Sequence, residues 1–370
     1  MFVLDSGVGN FIVFRNKKFA YFAGNNYLGL AVHPFVKEAS IRSIEQYGVN
    51  FSASRLTTGT ATVHLELEKL LSAFKRRQDA SVFASGYLGN RILLQVLRDE
   101  YDAVITDAWA HPSIIDGIPP GMNRLLYYDH GKTAHLEAIL RKNKKYRPLI
   151  ITDGLFALTG EIAPLDQIVH LAEMYNAIVI VDDAHATGIL GDNGRGTPEY
   201  FHLEEADHLF QTETMSKALG AYGGFIAGSV ELIRSIRKRS TVYQASTALP
   251  PPVVAAGCAS LKILQEQPGM RLELLNIAKE VRSGVSGLGF RTTADNTPII
   301  PVMFRSVDKA KDLSAFLEAN QYIVPCIDYP AKTEMSIVRI TVCISHTKEQ
   351  TGGLIELLKK WRDKHGTDKD

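Results

Sequence analysis

Six short apolar runs constrain this chain more than anything else in it. They are Ala80–Ala84 (ASVFA), Ala103–Thr106 (AVIT), Leu149–Thr152 (LIIT), Ala177–Val181 (AIVIV), His208–Gln211 (HLFQ) and Gly224–Ala227 (GFIA). None alternates cleanly between apolar and polar, so each reads as a strand buried on both faces. Amphipathic stretches such as Asp166–Tyr175 lie between several of them, with apolar residues at helical spacing. Strands of this kind separated by helices predict an α/β fold, a mostly parallel sheet covered by helices. After about Pro250 the pattern changes. Helical stretches at Pro252–Gln267, Arg271–Gly287, Ala310–Asn320 and Gln350–His365 then surround strands within Thr292–Phe304 and at Ile337–Cys343. That order predicts a smaller α+β domain. The expected division is an N-terminal segment, 1–45, packing with the small domain, a large domain, 46–265, and a small C-terminal domain, 266–370.

Charge and cysteine usage exclude several classes. Lys plus Arg (41) nearly equals Asp plus Glu (40), which argues against a nucleic-acid or membrane-surface protein. The three cysteines, Cys258, Cys326 and Cys343, are far apart and in no metal-ligand spacing, so a reducing cytoplasm is expected. Neither a secretory leader nor a membrane-spanning run is visible.

The chemistry gathers at the ends of the apolar runs, where open α/β sheets bind ligands. In AIVIVDDAHATG, Asp182 closes a strand and His185 follows; Asp183 reads as a cap of the next helix. In QTETMSKALGAYGG, Lys217 sits among Ser216, Ala218, Gly220, Gly223 and Gly224 rather than in a charged surface run. Small neighbours admit a flat ligand, and a desolvated lysine suits Schiff-base chemistry. An aspartate at a strand end, followed 35 residues later by T-x-x-K, can keep a pyridine nitrogen protonated while a lysine holds an aldehyde. In FASGYLGNRILLQVL the turn Ser85-Gly86-Tyr87 opens a helix and offers amides to a phosphate, with Thr214 and Ser216 adding hydroxyls. In VITDAWAHPSIIDG, His111 lies past another strand end, where an imidazole can stack on a ring.

Together these stretches resemble the α-oxoamine synthases, pyridoxal-phosphate (PLP) enzymes of fold type I that condense an amino acid with an acyl-CoA and release carbon dioxide. The resemblance runs from AGNNYLGLAVHP (Ala23–Pro34) through SRLTTGT, HLELE, ASGYLGN, DAWAHPSIIDG, VDDAHATGILGDNGRG, TETMSKALGAYGG and STALPP to VRITVCISHT. It implies a large domain on a mostly parallel seven-stranded sheet with a smaller C-terminal domain, and PLP as cofactor. By the same resemblance Lys217 is the Schiff-base lysine, Asp182 the partner of the ring nitrogen, His185 the donor to the ring hydroxyl and His111 the stacking imidazole. Ser85, Gly86, Tyr87, Thr214 and Ser216 then form the phosphate cup. Thr247, in STALPP, reaches the neighbouring subunit's phosphate, so a homodimer is implied. Arg339 pairs with the substrate carboxylate, and Asn25 lines the substrate pocket. The implied partners are a small amino acid and a thioester of CoA or a carrier protein, with no nucleic acid and no membrane.

Three stretches depart from the family pattern. LFALTG places Ala157 and Thr159 where Ser and Asp are expected. Asn50-Phe51-Ser52-Ala53 replaces a glycine-rich run, which predicts a narrower substrate entrance. Ala331 and Lys332 interrupt a third stretch. These touch substrate selection and leave two other readings open: a different PLP activity (aminotransferase, racemase or aldol-type lyase), or a non-catalytic partner subunit. The second would be expected to lack the lysine that stands here as Lys217.

Overall fold

A computed structural model describes residues 2–327 and 335–367. In chain order its strands are β1 (Phe11–Phe14), β2 (Lys17–Tyr21), β3 (Asp79–Phe83), β4 (Ala103–Asp107), β5 (Leu125–Tyr128), β6 (Pro148–Asp153), β7 (Ile178–Asp182), β8 (Leu209–Thr214), β9 (Gly224–Gly228), β10 (Ile299–Phe304), β11 (Tyr322–Ile323), β12 (Cys326–Ile327) and β13 (Ser336–Thr341). Packing divides the chain into a larger unit, 34–156 with 162–266, and a smaller one, 2–33 with 157–161 and 267–367. Residues 34–45, grouped with the N-terminal segment on sequence alone, belong to the larger unit, because Pro34–Tyr47 forms a helix packed on the helix Pro251–Glu266.

All six apolar runs are strands of one seven-stranded sheet, ordered β3-β9-β8-β7-β6-β4-β5. Its pairings are parallel except for those of β9 with β3 and β8. Burial on both faces follows residue by residue. Val104, Leu149, Ile151 and Ile180 enter one apolar cluster, while their neighbours Ile105, Ile150, Val179 and Val181 enter the other. Helices cover both faces because every second side chain on each strand needs apolar partners.

The smaller unit holds two three-stranded sheets. One, β10-β13-β12, is antiparallel; the other joins the β1–β2 hairpin to β11, which runs parallel to β2. Trp361, fully buried on the helix Lys348–His365, lies against the rings of Phe290 and Phe304 and donates its indole N–H to Asp312 at 2.6 Å. His346 stacks on Phe22 with 4.0 Å between ring centres, accepts the Cys343 N–H and contacts the Tyr21 carbonyl. Burial holds its imidazole down at about 4. No helix among the described residues is long and apolar enough to cross a membrane.

A polar network lies inside the larger unit. Asp183 accepts the Thr197 N–H at 2.7 Å, the Thr197 hydroxyl at 2.6 Å and the Gln211 amide at 2.8 Å. It thus serves the start of the short helix Thr197–Tyr200 from full burial and from 14 residues upstream, whereas the N-cap residue, expected from sequence at Asp183, is Gly196. Lys75 pairs with Glu213 and donates to the Arg195 carbonyl, with both ionic side chains buried. Burial pushes the Glu213 carboxyl up to about 7 against the pull of Lys75.

Two outcomes follow for stability. Lys75→Met strands a buried carboxylate and should lower the unfolding free energy in guanidinium chloride by about 3–5 kcal/mol. An unfolded histidine takes its proton near pH 6.5, whereas His346 in the folded chain waits until about 4. Its contribution is thus complete above pH 6.5 and is lost as pH falls, by about 3 kcal/mol at pH 4. His346→Asn should lose correspondingly less between pH 7 and pH 4 in urea titrations.

Candidate functional site

Because β3, β4, β6, β7 and β8 point the same way, their C-terminal ends share one edge of the sheet. A cavity of about 300 Å³ opens there. Ser85, Gly86 and Tyr87 line it from the end of β3, and His111 from the loop after β4. Asp182 and His185 enter from β7, and Thr214, Ser216 and Lys217 from β8. Nine residues singled out from separate stretches of sequence thus meet in one place.

One end of the cavity is built from hydroxyls and backbone. Ser85 Oγ accepts the Tyr87 N–H at 3.3 Å, opening the helical turn Gly86–Leu88. Thr214 Oγ1 lies 3.0 Å from both Ser216 Oγ and the Gly223 carbonyl, and accepts the Ser216 N–H at 3.1 Å. A Cβ at Gly86 would stand 2.6 Å from the Thr214 Cβ, so only glycine lets these two elements close on each other. The Tyr87 hydroxyl donates to Asp116.

Elsewhere in the cavity wall, Asp182 is 6% exposed and accepts the Asn90 amide at 2.6 Å and the Ala184 N–H at 3.1 Å. Asp153 stands directly opposite it in the β6–β7 register and accepts the His111 N–H at 2.9 Å. Burial, and then the neighbouring Asp182 charge, pushes the Asp153 carboxyl well above the usual carboxylate range. Burial also lowers the His111 imidazole, with Asp182 pulling the other way and Lys217 reinforcing the shift.

The other residues singled out from sequence lie apart from this lining. Thr247, in the larger unit, bridges to Ser54, and the following Ala248 N–H meets the Ala53 carbonyl at 3.0 Å. Asn25 and Arg339 belong to the smaller unit, where Arg339 Nη2 donates to Asn25 Oδ1 at 3.0 Å and the Tyr27 hydroxyl donates to the same oxygen at 3.2 Å. Arg339 is 7% exposed, and no carboxylate among the described residues pairs with it. In LFALTG, Thr159 is buried with its hydroxyl unpaired, and its carbonyl accepts from Thr293 Oγ1 at 2.9 Å. Ser52 holds φ at +53°, so a serine takes a backbone shape that favours glycine. Ala331 and Lys332 lie outside the described residues.

Sequence reasoning missed Asn90, Ser113 and Asp153. Asp153 ends a strand just as Asp182 does, and Ser113 follows His111 by two residues, so both signals were present. Asn90 was hidden inside an apolar helix.

Comparison with known proteins adds independent findings. The family described as aminotransferase class I and II matches residues 17–358. An 8-amino-7-oxononanoate synthase from Thermoanaerobacter pseudethanolicus is 39% identical over 361 residues, 97% of this chain and 91% of the relative. A serine palmitoyltransferase from S. paucimobilis, solved with PLP and myriocin bound, superposes with a TM-score of 0.91 at 28% identity, covering 98% of this chain and 92% of that one. The solved 8-amino-7-oxononanoate synthase of Francisella tularensis gives 0.81 at 25% identity, covering 94% and 98%.

Asp153 yields a test with a definite sign. Its unfolded carboxyl loses its proton near pH 3.9, whereas the folded one keeps it to higher pH, so each added pH unit in that window costs the native protein up to about 1.4 kcal/mol. Asparagine carries no such penalty. In urea unfolding without added ligands, the stability of Asp153→Asn relative to the native protein should therefore rise from pH 4 upward.

Proposed function

This chain belongs to the α-oxoamine synthases within the class I and II aminotransferase family, and on that premise we propose that the cavity at the sheet edge is its PLP site, held by Lys217 and Asp182. The family is PLP-dependent, and the chain is an acyltransferase that joins a small amino acid to an acyl thioester with loss of carbon dioxide. The residues present fit the cofactor. A glycine-dependent cup of hydroxyls suits a phosphate, a buried carboxylate suits a ring nitrogen, and two imidazoles and a lysine share the same cavity. The observation that carries the reading is this convergence of Lys217 and Asp182, from two different strands, on one cavity.

When bound, PLP supplies an electron sink for negative charge developing at the substrate α-carbon. Asp182 keeps a proton on the ring nitrogen, and the amides of Asn90 and Ala184 hold that carboxylate in place. His185 would supply a donor to the ring hydroxyl and His111 an imidazole beside the ring, both from the cavity wall. Ser85, Gly86, Tyr87, Thr214 and Ser216 grip the phosphate. Lys217 Nζ is the group that would hold the cofactor aldehyde and, when free, would move the proton at the substrate α-carbon. Arg339, whose guanidinium fork is held by Asn25, is the residue that the family resemblance assigns to the substrate carboxylate. The relatives favour the reaction of an 8-amino-7-oxononanoate synthase. A cytoplasmic homodimer in which Thr247 reaches the neighbouring subunit's phosphate is the assembly that the family resemblance implies.

Purified protein mixed with PLP should gain the visible band of a lysine-linked cofactor, and Lys217→Ala should not. Glycine, L-alanine and L-serine, each with a panel of acyl-CoAs, should then identify one pair that releases free CoA. A cofactor band with no thioester consumed would replace the acyltransferase by an aminotransferase or lyase. Arg339→Ala should lower kcat/KM for the amino acid by roughly 30- to 1,000-fold, the loss expected when a buried charge partner is removed.

A further inference from the structure

Ser113 and Asn90 are almost fully buried, at 2% and 0% exposure, and both touch the side chains that carry the chemistry. We propose that Ser113 is a positioning residue that fixes His111 as the neutral imidazole with its proton on Nε2, and that Asn90 ties this arrangement to Asp182. The inference deepens the PLP reading above and rests on it for the roles of His111 and Asp182.

A backbone N–H can only donate, and the Ser113 N–H reaches His111 Nδ1 at 3.2 Å. Nδ1 must therefore present a lone pair, and the ring proton belongs on Nε2. The Ser113 hydroxyl lies 2.8 Å from the same nitrogen and 3.5 Å from Asp182 Oδ2, so its single proton goes to the imidazole. Placing a proton on Nδ1 would set N–H against N–H. Asn90 completes the chain. The carboxylate of Asp182 can only accept, so the amide must turn its NH2 toward it, at 2.6 Å. The same NH2 donates to Ser113 Oγ at 3.0 Å, while Asn90 Oδ1 accepts the Thr212 hydroxyl at 3.1 Å. With a lone pair of Oγ occupied by Asn90, the hydroxyl hydrogen is left for Nδ1.

The groups around His111 do not displace this arrangement. Asp182 and Asp116 favour the cation and Lys217 opposes it, with desolvation outweighing all three. Asp153 takes the His111 backbone N–H, leaving the ring free of it, and the Tyr87 ring stands edge-on at 6.0 Å. His111 thus enters the reaction as a hydrogen-bond donor at Nε2 and not as a cation. Ser113 acts only through it.

The test is nitrogen NMR of full-length protein carrying 15N-labelled histidine, with and without PLP, the His111 signal being identified by its loss in His111→Asn. In the native protein Nδ1 should carry the shift of an unprotonated ring nitrogen and Nε2 that of a protonated one. Ser113→Ala removes one donor to the neutral ring. Its His111 titration midpoint should rise by roughly half a unit to one unit, the equivalent of one lost hydrogen bond. Ser113→Thr, which keeps the hydroxyl, should return the midpoint toward the native value. A protonated Nδ1 in the native protein, or a midpoint unmoved in Ser113→Ala, overturns the proposal. A protein that gains no visible band with PLP overturns the cofactor reading instead, and the tautomer is read separately from that band.

Discussion

Everything at the sheet edge depends on keeping a carboxylate, Asp182, hydrogen-bonded at the end of a strand whose preceding residues are buried on both faces. Such a group cannot rely on bulk water and needs donors from its surroundings. They come from two elements, the Asn90 amide on the helix after β3 and the Ala184 N–H in its own turn, while the Ser113 hydroxyl on the helix after β4 stands 3.5 Å away with its proton turned to His111. These neighbours are themselves held within the site. Asn90 is fixed by Thr212 on β8, and Ser113 by its contact with His111. This wall of the cavity is therefore one connected assembly.

The same strand ends carry a second set of acids that the reaction does not use directly. Strand geometry sends Asp182 and Asp183 to opposite sides, so one faces the cavity while the other must be satisfied by Thr197 and Gln211. Glu213, between Thr212 and Thr214, meets Lys75 in the same way. Buried ionic groups of this kind add little net stability, but removing one partner is costly. They hold strand ends in register where apolar packing alone would tolerate small shifts.

Much of this was legible in the sequence because it rests on local pattern. Six strands of the seven-stranded sheet announced themselves through apolar residues facing both ways. Lys217, Asp182, His111 and His185 stood out because each follows a strand end. What escaped depended on distant partners. The edge strand Leu125–Tyr128 is only partly covered, and its LLYY run has no β-branched residue to mark it as a strand. Asp153 gains its character from facing Asp182 across a register that no local window shows. Asn25 and Arg339, 314 residues apart, were linked only through family resemblance. Nothing local marks residues 157–161 as part of the smaller unit; hydrogen bonds from Thr293 and Thr297 bring them there.

The pairing of β2 with β11 sets an order of events during synthesis. The β1–β2 hairpin leaves the ribosome about 300 residues before the strand that covers its edge, Tyr322–Ile323. At 5–20 residues per second the nascent chain carries an uncovered strand edge for roughly 15 to 60 s. An unpaired edge is a template for joining the wrong neighbour. The larger unit, whose residues all precede 267, has that interval in which to fold. Proper assembly of the smaller unit is thus a matter of timing, with the last third of the chain arriving to shelter the first.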